Sequence, residues 1–234
     1  MQRMVGCSLL ADADRHSMGW GMKGYKVLEL EHLTTSTFRL RTERPQVTIR
    51  AGQCFNVGLP GTGVNREYSM YSAADAPYLD FLIREVDGGC VSPALKHLAI
   101  GDSVEIDGPY GEFCLNAPQS NQPYLFLGTG TGIAPFHSFV GSYPSLRYTV
   151  LHGVRSQNEQ YGLEDYALGS YVPCVSNNAQ GEPSMRLTEY LQKHPVQPDS
   201  IVYLCGNRSM IIDAFEILRE QGVPGNNLFT EVFF

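Results

Sequence analysis

Four short stretches place residue types at spacings that suit chemistry. In Gly128-Thr129-Gly130-Thr131-Gly132-Ile133 three alternating glycines break an apolar run. Glycines let backbone N–H groups reach an anion where a helix begins, so this stretch reads as a phosphate-approaching turn. The alternative is a tight turn with no ligand. Arg66-Glu67-Tyr68-Ser69 supplies a guanidinium that can fork onto a pyrophosphate, a flat ring for stacking and a hydroxyl able to bond a ring nitrogen. Gly88-Gly89-Cys90-Val91-Ser92 adds glycines whose amides can approach the same pyrophosphate ahead of a short helix. Together they supply what a flavin dinucleotide needs; otherwise Arg66 is a surface ion-pair partner and Tyr68 an ordinary strand residue. In Cys205-Gly206-Asn207 the glycine permits close approach of a ligand and the thiol offers a small polarisable surface, against the alternative of a buried cysteine before a turn.

Such residues need elements to hold them. From about residue 25 to 115 the chain alternates in short runs, 26–30, 37–41, 54–57, 79–83 and 103–106, which predict the strands of a small antiparallel barrel. One helix is expected there, 93–98, with Pro93 at its first position and Ser92 as its cap. Beyond the proline-bracketed stretch 118–123 the period changes. Strands are expected at 124–127, 148–152, 171–176, 201–204 and 228–233, alternating with helices at 133–140, 164–168, 187–192 and 210–221. Strand and helix in alternation imply a parallel sheet. The fold class is β plus α/β: residues 1–20 as a tail or extension, 21–117 as an antiparallel Greek-key barrel, 121–234 as a nucleotide-binding α/β domain.

Composition removes several classes. A chain of 234 residues with a net charge of −7 is ill suited to nucleic acid, whose binding needs positive charge. No apolar run approaches the roughly 18 to 20 residues of a membrane span, and no hydrophobic leader is evident, so a cytoplasmic location is expected. The six cysteines, Cys7, Cys54, Cys90, Cys114, Cys174 and Cys205, show no Cys-x-x-Cys pair and no iron–sulfur spacing. No metal site is expected, and any iron–sulfur carrier would be a separate protein.

The ordered motifs Arg66-x-Tyr68-Ser69, Gly89-Cys90-Val91-Ser92, Gly101-Asp102 through Gly108-Pro109-x-Gly111, the 128–136 turn, Cys205-Gly206-Asn207 and Glu231-Val232-Phe233-Phe234 resemble the ferredoxin–NADP reductase superfamily in its stand-alone form. The resemblance implies FAD, with Arg66 and Ser92 on its pyrophosphate beside Gly89, Cys90 and Val91, Tyr68 stacked on the isoalloxazine, and Ser69 near flavin N5. It implies a pyridine nucleotide along Gly128, Thr129, Gly130, Thr131, Gly132 and Ile133, with Cys205, Gly206 and Asn207 by the nicotinamide. Glu231 belongs to the same centre as a proton-linked group, so Ser69, Cys205 and Glu231 are the implied catalytic set. Phe233 or Phe234 would cover the other flavin face.

Ile133 stands where the third glycine of the general dinucleotide fingerprint would fall, and no acidic residue ends the strand at 148–152. Arg155 and Ser156 follow it instead, which suits a 2′-phosphate. By resemblance Ser176 and Arg186 join them, although Asn177 stands where an arginine is frequent. NADPH is therefore favoured, with NADH possible. The implied activity is electron transfer between NADPH and a separate ferredoxin or flavodoxin by a monomer. The alternatives are a flavin or quinone reductase and a flavin-bearing subunit of a larger complex. Arg39, Arg41, Arg44 and Arg50 could dock an acidic carrier, or could equally be solvated strand residues.

Overall fold

The computed structural model describes residues 23–115, 118, 122–177 and 184–233. The expected tail at 1–20, and Phe234, lie outside them.

Six strands form the first sheet: β1 (Lys23–His32), β2 (Thr37–Glu43), β3 (Cys54–Gly58), β4 (Asn65–Ser69), β5 (Tyr78–Arg84) and β6 (Ser103–Tyr110). Their order is β4-β3-β6-β1-β2-β5, every pairing is antiparallel, and a single bridge between Met70 and Phe81 brings the two edges together. Alternation explains the closure. Phe38 and Leu40 of β2, Phe55 and Val57 of β3, and Leu79, Phe81 and Ile83 of β5 all turn inward into one cluster. A short helix, α1 (Ser92–Leu95), follows β5.

The second sheet holds β7 (Tyr124–Thr129), β8 (Tyr148–Val154), β9 (Tyr171–Val175), β10 (Ile201–Gly206) and β11 (Leu228–Val232) in the order β11-β10-β7-β8-β9, all parallel. Both faces are covered, which is why its strands read as unbroken apolar runs. Tyr124 and Phe126 of β7 face an aromatic cluster with Phe136 and Phe139 of α2 (Ala134–Ser142), while Leu125 and Leu127 face α3 (Leu187–Lys193) and α4 (Arg208–Glu220). Tyr71, Leu82 and Phe113, from the barrel side, join the aromatic cluster, so it packs the barrel against one face of the parallel sheet.

Three local expectations are corrected. Residues 164–168 form no α-helix; a 3₁₀ turn, Leu163–Asp165, lies between Gly162 and Gly169, both at positive φ (62° and 80°), and Tyr166 is buried as an anchor. Ser92 does not cap α1: it is the first helical residue, and its hydroxyl accepts the Val86 amide at 3.0 Å. The four arginines are not a free cationic patch: Arg39, Arg41 and Arg44 are half-buried and partnered, and only Arg50 is exposed. Arg39 pairs with Glu29 and Glu31, Arg41 with Asp80 and Glu29, and Arg50 with Glu112, while Arg44 donates to the Ala76 carbonyl.

Candidate functional site: a cleft at the switch point of the parallel sheet

After β7 the chain crosses to one side of the parallel sheet, and after β10 to the other. The turns leaving these adjacent strands therefore part over a crevice at the carboxyl edge, the place where open α/β sheets bind ligands. The two turns are in backbone contact. A Cβ on Gly132 would fall 2.6 Å from the Cys205 carbonyl oxygen, and one on Gly206, at φ 119°, would fall 2.4 Å from Thr129 Oγ1. The Asn207 amide donates to Thr129 Oγ1 (2.8 Å), and Asn207 Oδ1 accepts the Ser209 and Met210 amides, capping α4.

These turns open onto a cleft of about 460 Å³. Thr129, Gly130 and Thr131 line it from the glycine turn, Gly206 and Asn207 from the turn after β10, and Arg155, Ser176 and Arg186 from the flank beyond β8 and β9. Phe233 closes one side, its amide donating to the Gly206 carbonyl at 3.0 Å. The sequence-derived residues do not all meet there. Gly128, Gly132 and Ile133 shape the turn from behind, with Ile133 fully buried, and Ser156 turns its hydroxyl to Asn158. Cys205 is fully buried and outside the lining; burial pushes its thiol well above the usual range, so it stays protonated.

Three charged residues lining the cleft were absent from the sequence-derived set. Arg84 reaches it from the last position of β5, in the barrel; an arginine that ends an apolar strand four residues before a glycine pair was the available signal. Glu159 also lines it and accepts the Arg155 amide at 2.9 Å, and Asp213 enters from α4.

On the barrel side, β4 presents Arg66, Tyr68 and Ser69. The Arg66 guanidinium is exposed, donates to the Asn65 carbonyl at 2.7 Å and forms no ion pair among the described residues, which leaves most of its fork open. Tyr68 packs its ring on the barrel core, and burial lifts its hydroxyl to about 12, so it is neutral. The Gly89 amide is already spent on the Val86 carbonyl and Val91 is buried in the core, while Gly88 and Cys90 are exposed.

A hydrogen bond joins a strand of each sheet: Ser69 Oγ donates to Glu231 Oε1 at 2.8 Å. Burial is the largest influence on Glu231 and raises its carboxyl to about 7, the Ser69 bond opposing this and the Glu67 charge adding to it. The pair can hold or release a proton near neutral pH. Open arginine, stacking face and serine–carboxyl pair on one strand edge suit a flavin dinucleotide. Among the described residues no group of three or more His, Cys, Asp or Glu could hold a metal ion, and no helix is long and apolar enough to cross a membrane.

Comparison with known proteins agrees. A profile of the oxidoreductase FAD-binding domain family matches residues 27–114. The chain is 31% identical over 230 residues to the toluate 1,2-dioxygenase electron transfer component of Pseudomonas putida, covering 90% of this chain and 68% of that protein. It is 26% identical over 237 residues to the propane 2-monooxygenase reductase component of Rhodococcus jostii, covering 89% of this chain and 62% of that one. The chain thus spans about two thirds of the length of these relatives. In structure it resembles a ferredoxin NADP+ reductase from Neisseria gonorrhoeae with bound FAD and NADP, with a TM-score of 0.81 at 23% identity, covering 91% of this chain and 99% of that one. It also resembles an Amycolatopsis cytochrome P450 reductase, with a TM-score of 0.79 at 26% identity, covering 92% and 71%. The chain belongs to the FAD-binding oxidoreductase family of the toluate 1,2-dioxygenase electron transfer component, and it has the fold of ferredoxin NADP+ reductase.

Proposed function

We propose that this chain is the flavin- and nucleotide-binding part of an electron-transfer reductase, with the barrel, 21–117, holding FAD and the α/β unit, 121–234, holding NADPH. The observation that carries the reading is the switch-point cleft, where a glycine turn and three arginines, Arg84, Arg155 and Arg186, line the carboxyl edge of the sheet, together with the Ser69–Glu231 bond that joins its last strand to the barrel. Bound FAD supplies the conversion of a two-electron hydride donor into a one-electron source. Around it Arg66 would bind pyrophosphate, Tyr68 would stack, and Ser69 and Glu231 would hold a proton beside the reacting ring. Ser92 keeps its hydroxyl proton available, because its oxygen already accepts from Val86. Cys205 remains a neutral thiol and contributes bulk and polarisability, and Phe233 has to shift for a nicotinamide to enter.

The acceptor in this reading is a separate one-electron protein such as a ferredoxin or flavodoxin, supported by relatives named as electron-transfer and reductase components of oxygenase systems. Arg39 and Arg41 do not steer it, since Glu29, Glu31 and Asp80 offset them.

Arg155, Ser176 and Arg186 favour NADPH through its 2′-phosphate. Glu159, lining the same cleft, is the observation that favours NADH, because a carboxylate there can take a ribose hydroxyl. Stopped-flow flavin reduction with each nucleotide decides. Arg155→Ala is expected to lower the NADPH-to-NADH preference about tenfold, the loss of one charge-assisted contact. An unchanged preference overturns the NADPH assignment, and a protein that retains no flavin overturns the whole reading.

A further inference from the structure

The glycine turn is braced from below by a histidine that the nucleotide chemistry does not use. His152, in the middle of β8 and fully buried, lies directly beside Gly128 of β7 in the parallel ladder. Its Nε2 is 2.8 Å from the Gly130 carbonyl oxygen, and its Nδ1 is 2.7 Å from the Tyr171 hydroxyl. A carbonyl oxygen only accepts, so Nε2 carries the proton; Nδ1 is then the acceptor and Tyr171 the donor. The partners thus define one tautomer, and both ring nitrogens are satisfied. Tyr171 is itself held: its ring lies edge-on to His152 with centroids 5.8 Å apart and packs against buried Tyr166 at 5.1 Å. On another side of the imidazole stands Tyr161, at 6.1 Å, whose hydroxyl donates to Thr37 of the barrel.

Gly130 is the residue of the turn that most needs holding. Its φ of 53° is left-handed, and outside the turn's own backbone no heavy atom lies within 4 Å of where its Cβ would be, so no neighbouring side chain packs against it. A trans peptide unit points its carbonyl and its following N–H in opposite directions. With the Gly130 oxygen drawn down to His152, the amide of Thr131 in the same peptide plane is turned the other way, and Thr131 lines the cleft.

We propose that His152, oriented by Tyr171, is a positioning residue for the pyridine nucleotide: it locks the Gly130–Thr131 peptide plane so that the turn offers its amide to the nucleotide phosphates. The inference rests on the cleft being the nucleotide site. It predicts that affinity depends on a buried N–H donor at position 152 and not on the ring as such. His152→Gln places an amide N–H where Nε2 stands, whereas His152→Met fills the space without a donor.

The test measures calorimetric binding of 2′-phospho-ADP-ribose, a fragment without a reactive nicotinamide, to the flavin-loaded protein, beside flavin content and melting temperature. His152→Met is expected to weaken binding at least tenfold, His152→Gln less than threefold, and Tyr171→Phe three- to tenfold. Flavin content should stay at the wild-type level. In stopped-flow work the apparent KM for NADPH rises in step, while the limiting rate of flavin reduction stays within twofold. Equal affinities for the Met and Gln variants overturn the proposal. If the Met variant does not fold, wild-type affinity in Tyr171→Phe overturns it instead. Failure of the wild type to bind either this fragment or ADP-ribose overturns the nucleotide site itself, and a loss confined to the Met and Phe variants supports both.

Discussion

The two sheets build their halves of the site from different material. The antiparallel sheet offers side chains: Arg66, Tyr68 and Ser69 project from one strand, β4, and Ser69 takes a side chain, Glu231, as its partner. The parallel sheet offers backbone: its cleft is formed by turns at Thr129–Gly130–Thr131 and Gly206–Asn207, set so closely that an added Cβ at Gly132 or Gly206 would strike main-chain or near-main-chain atoms. Topology is the cause. Parallel strands all end on the same edge and deliver their turns together, whereas antiparallel strands alternate and bring only side chains to a shared rim. Side-chain deletions should therefore alter chemistry on the barrel side, whereas on the other side changes of backbone shape at the two turns should do the most damage, with Arg155, Ser176 and Arg186 adding side-chain contacts at the flank.

Three experiments strain that contrast, the largest effect first. Ser69→Ala removes a hydroxyl without altering the strand, and flavin reduction by NADPH is expected to slow about 100-fold with flavin still bound. Full stopped-flow rates in that variant would remove Ser69 from the chemistry. Gly132→Ala would place a Cβ 2.6 Å from the Cys205 carbonyl oxygen and force the two turns apart, and it is expected to cost about 2 kcal/mol of stability in denaturant melts, with nucleotide affinity reduced and flavin content unchanged. Loss of flavin in place of nucleotide would show that the halves are not separable. The third concerns the Glu231 carboxyl, raised to about 7 from an ordinary 4.5. Between those values the native protein holds more protons than the unfolded chain, so this group's stabilising contribution is complete below about 4.5 and is lost as pH rises through 7. Glu231→Gln removes the titration. The variant should gain stability relative to wild type by about 1 to 2 kcal/mol across that window, and a pH-independent difference in melting temperature would contradict it.

The same contrast decides what could be read in advance. The parallel sheet was legible because burial on both faces leaves uninterrupted runs such as Tyr124-Leu125-Phe126-Leu127, and because only glycine fits the tight turn that follows. The barrel strands were legible from alternation, but β4 was missing from the expected ranges, with Tyr68 read as a strand residue only in the alternative, since its edge position leaves Asn65, Arg66 and Glu67 outside the core. Pairings across strands were hidden. Glu29 and Glu31 on β1 stand opposite Arg41 and Arg39 on β2, and Arg41 also faces Asp80 on β5; this register turns a suspected cationic patch into an ion-pair lattice. Glu-x-Glu on one strand and Arg-x-Arg on the next was the signal. At 164–168 local residues suited a helix, but flanking left-handed glycines and the burial of Tyr166 prevailed. His152 looked like one more residue of a strand, because its role depends on a carbonyl 22 positions away in sequence.

Ser69 and Glu231 are separated by 162 positions, and the strand that carries Glu231 is the last to enter its sheet in chain order. Contacts so distant along a chain bear the full entropy of loop closure and form late in folding. A partly folded chain that has closed its barrel but not seated β11 lacks the bond through which a proton is held between the sheets. In a refolding experiment catalytic competence should be the last property to return.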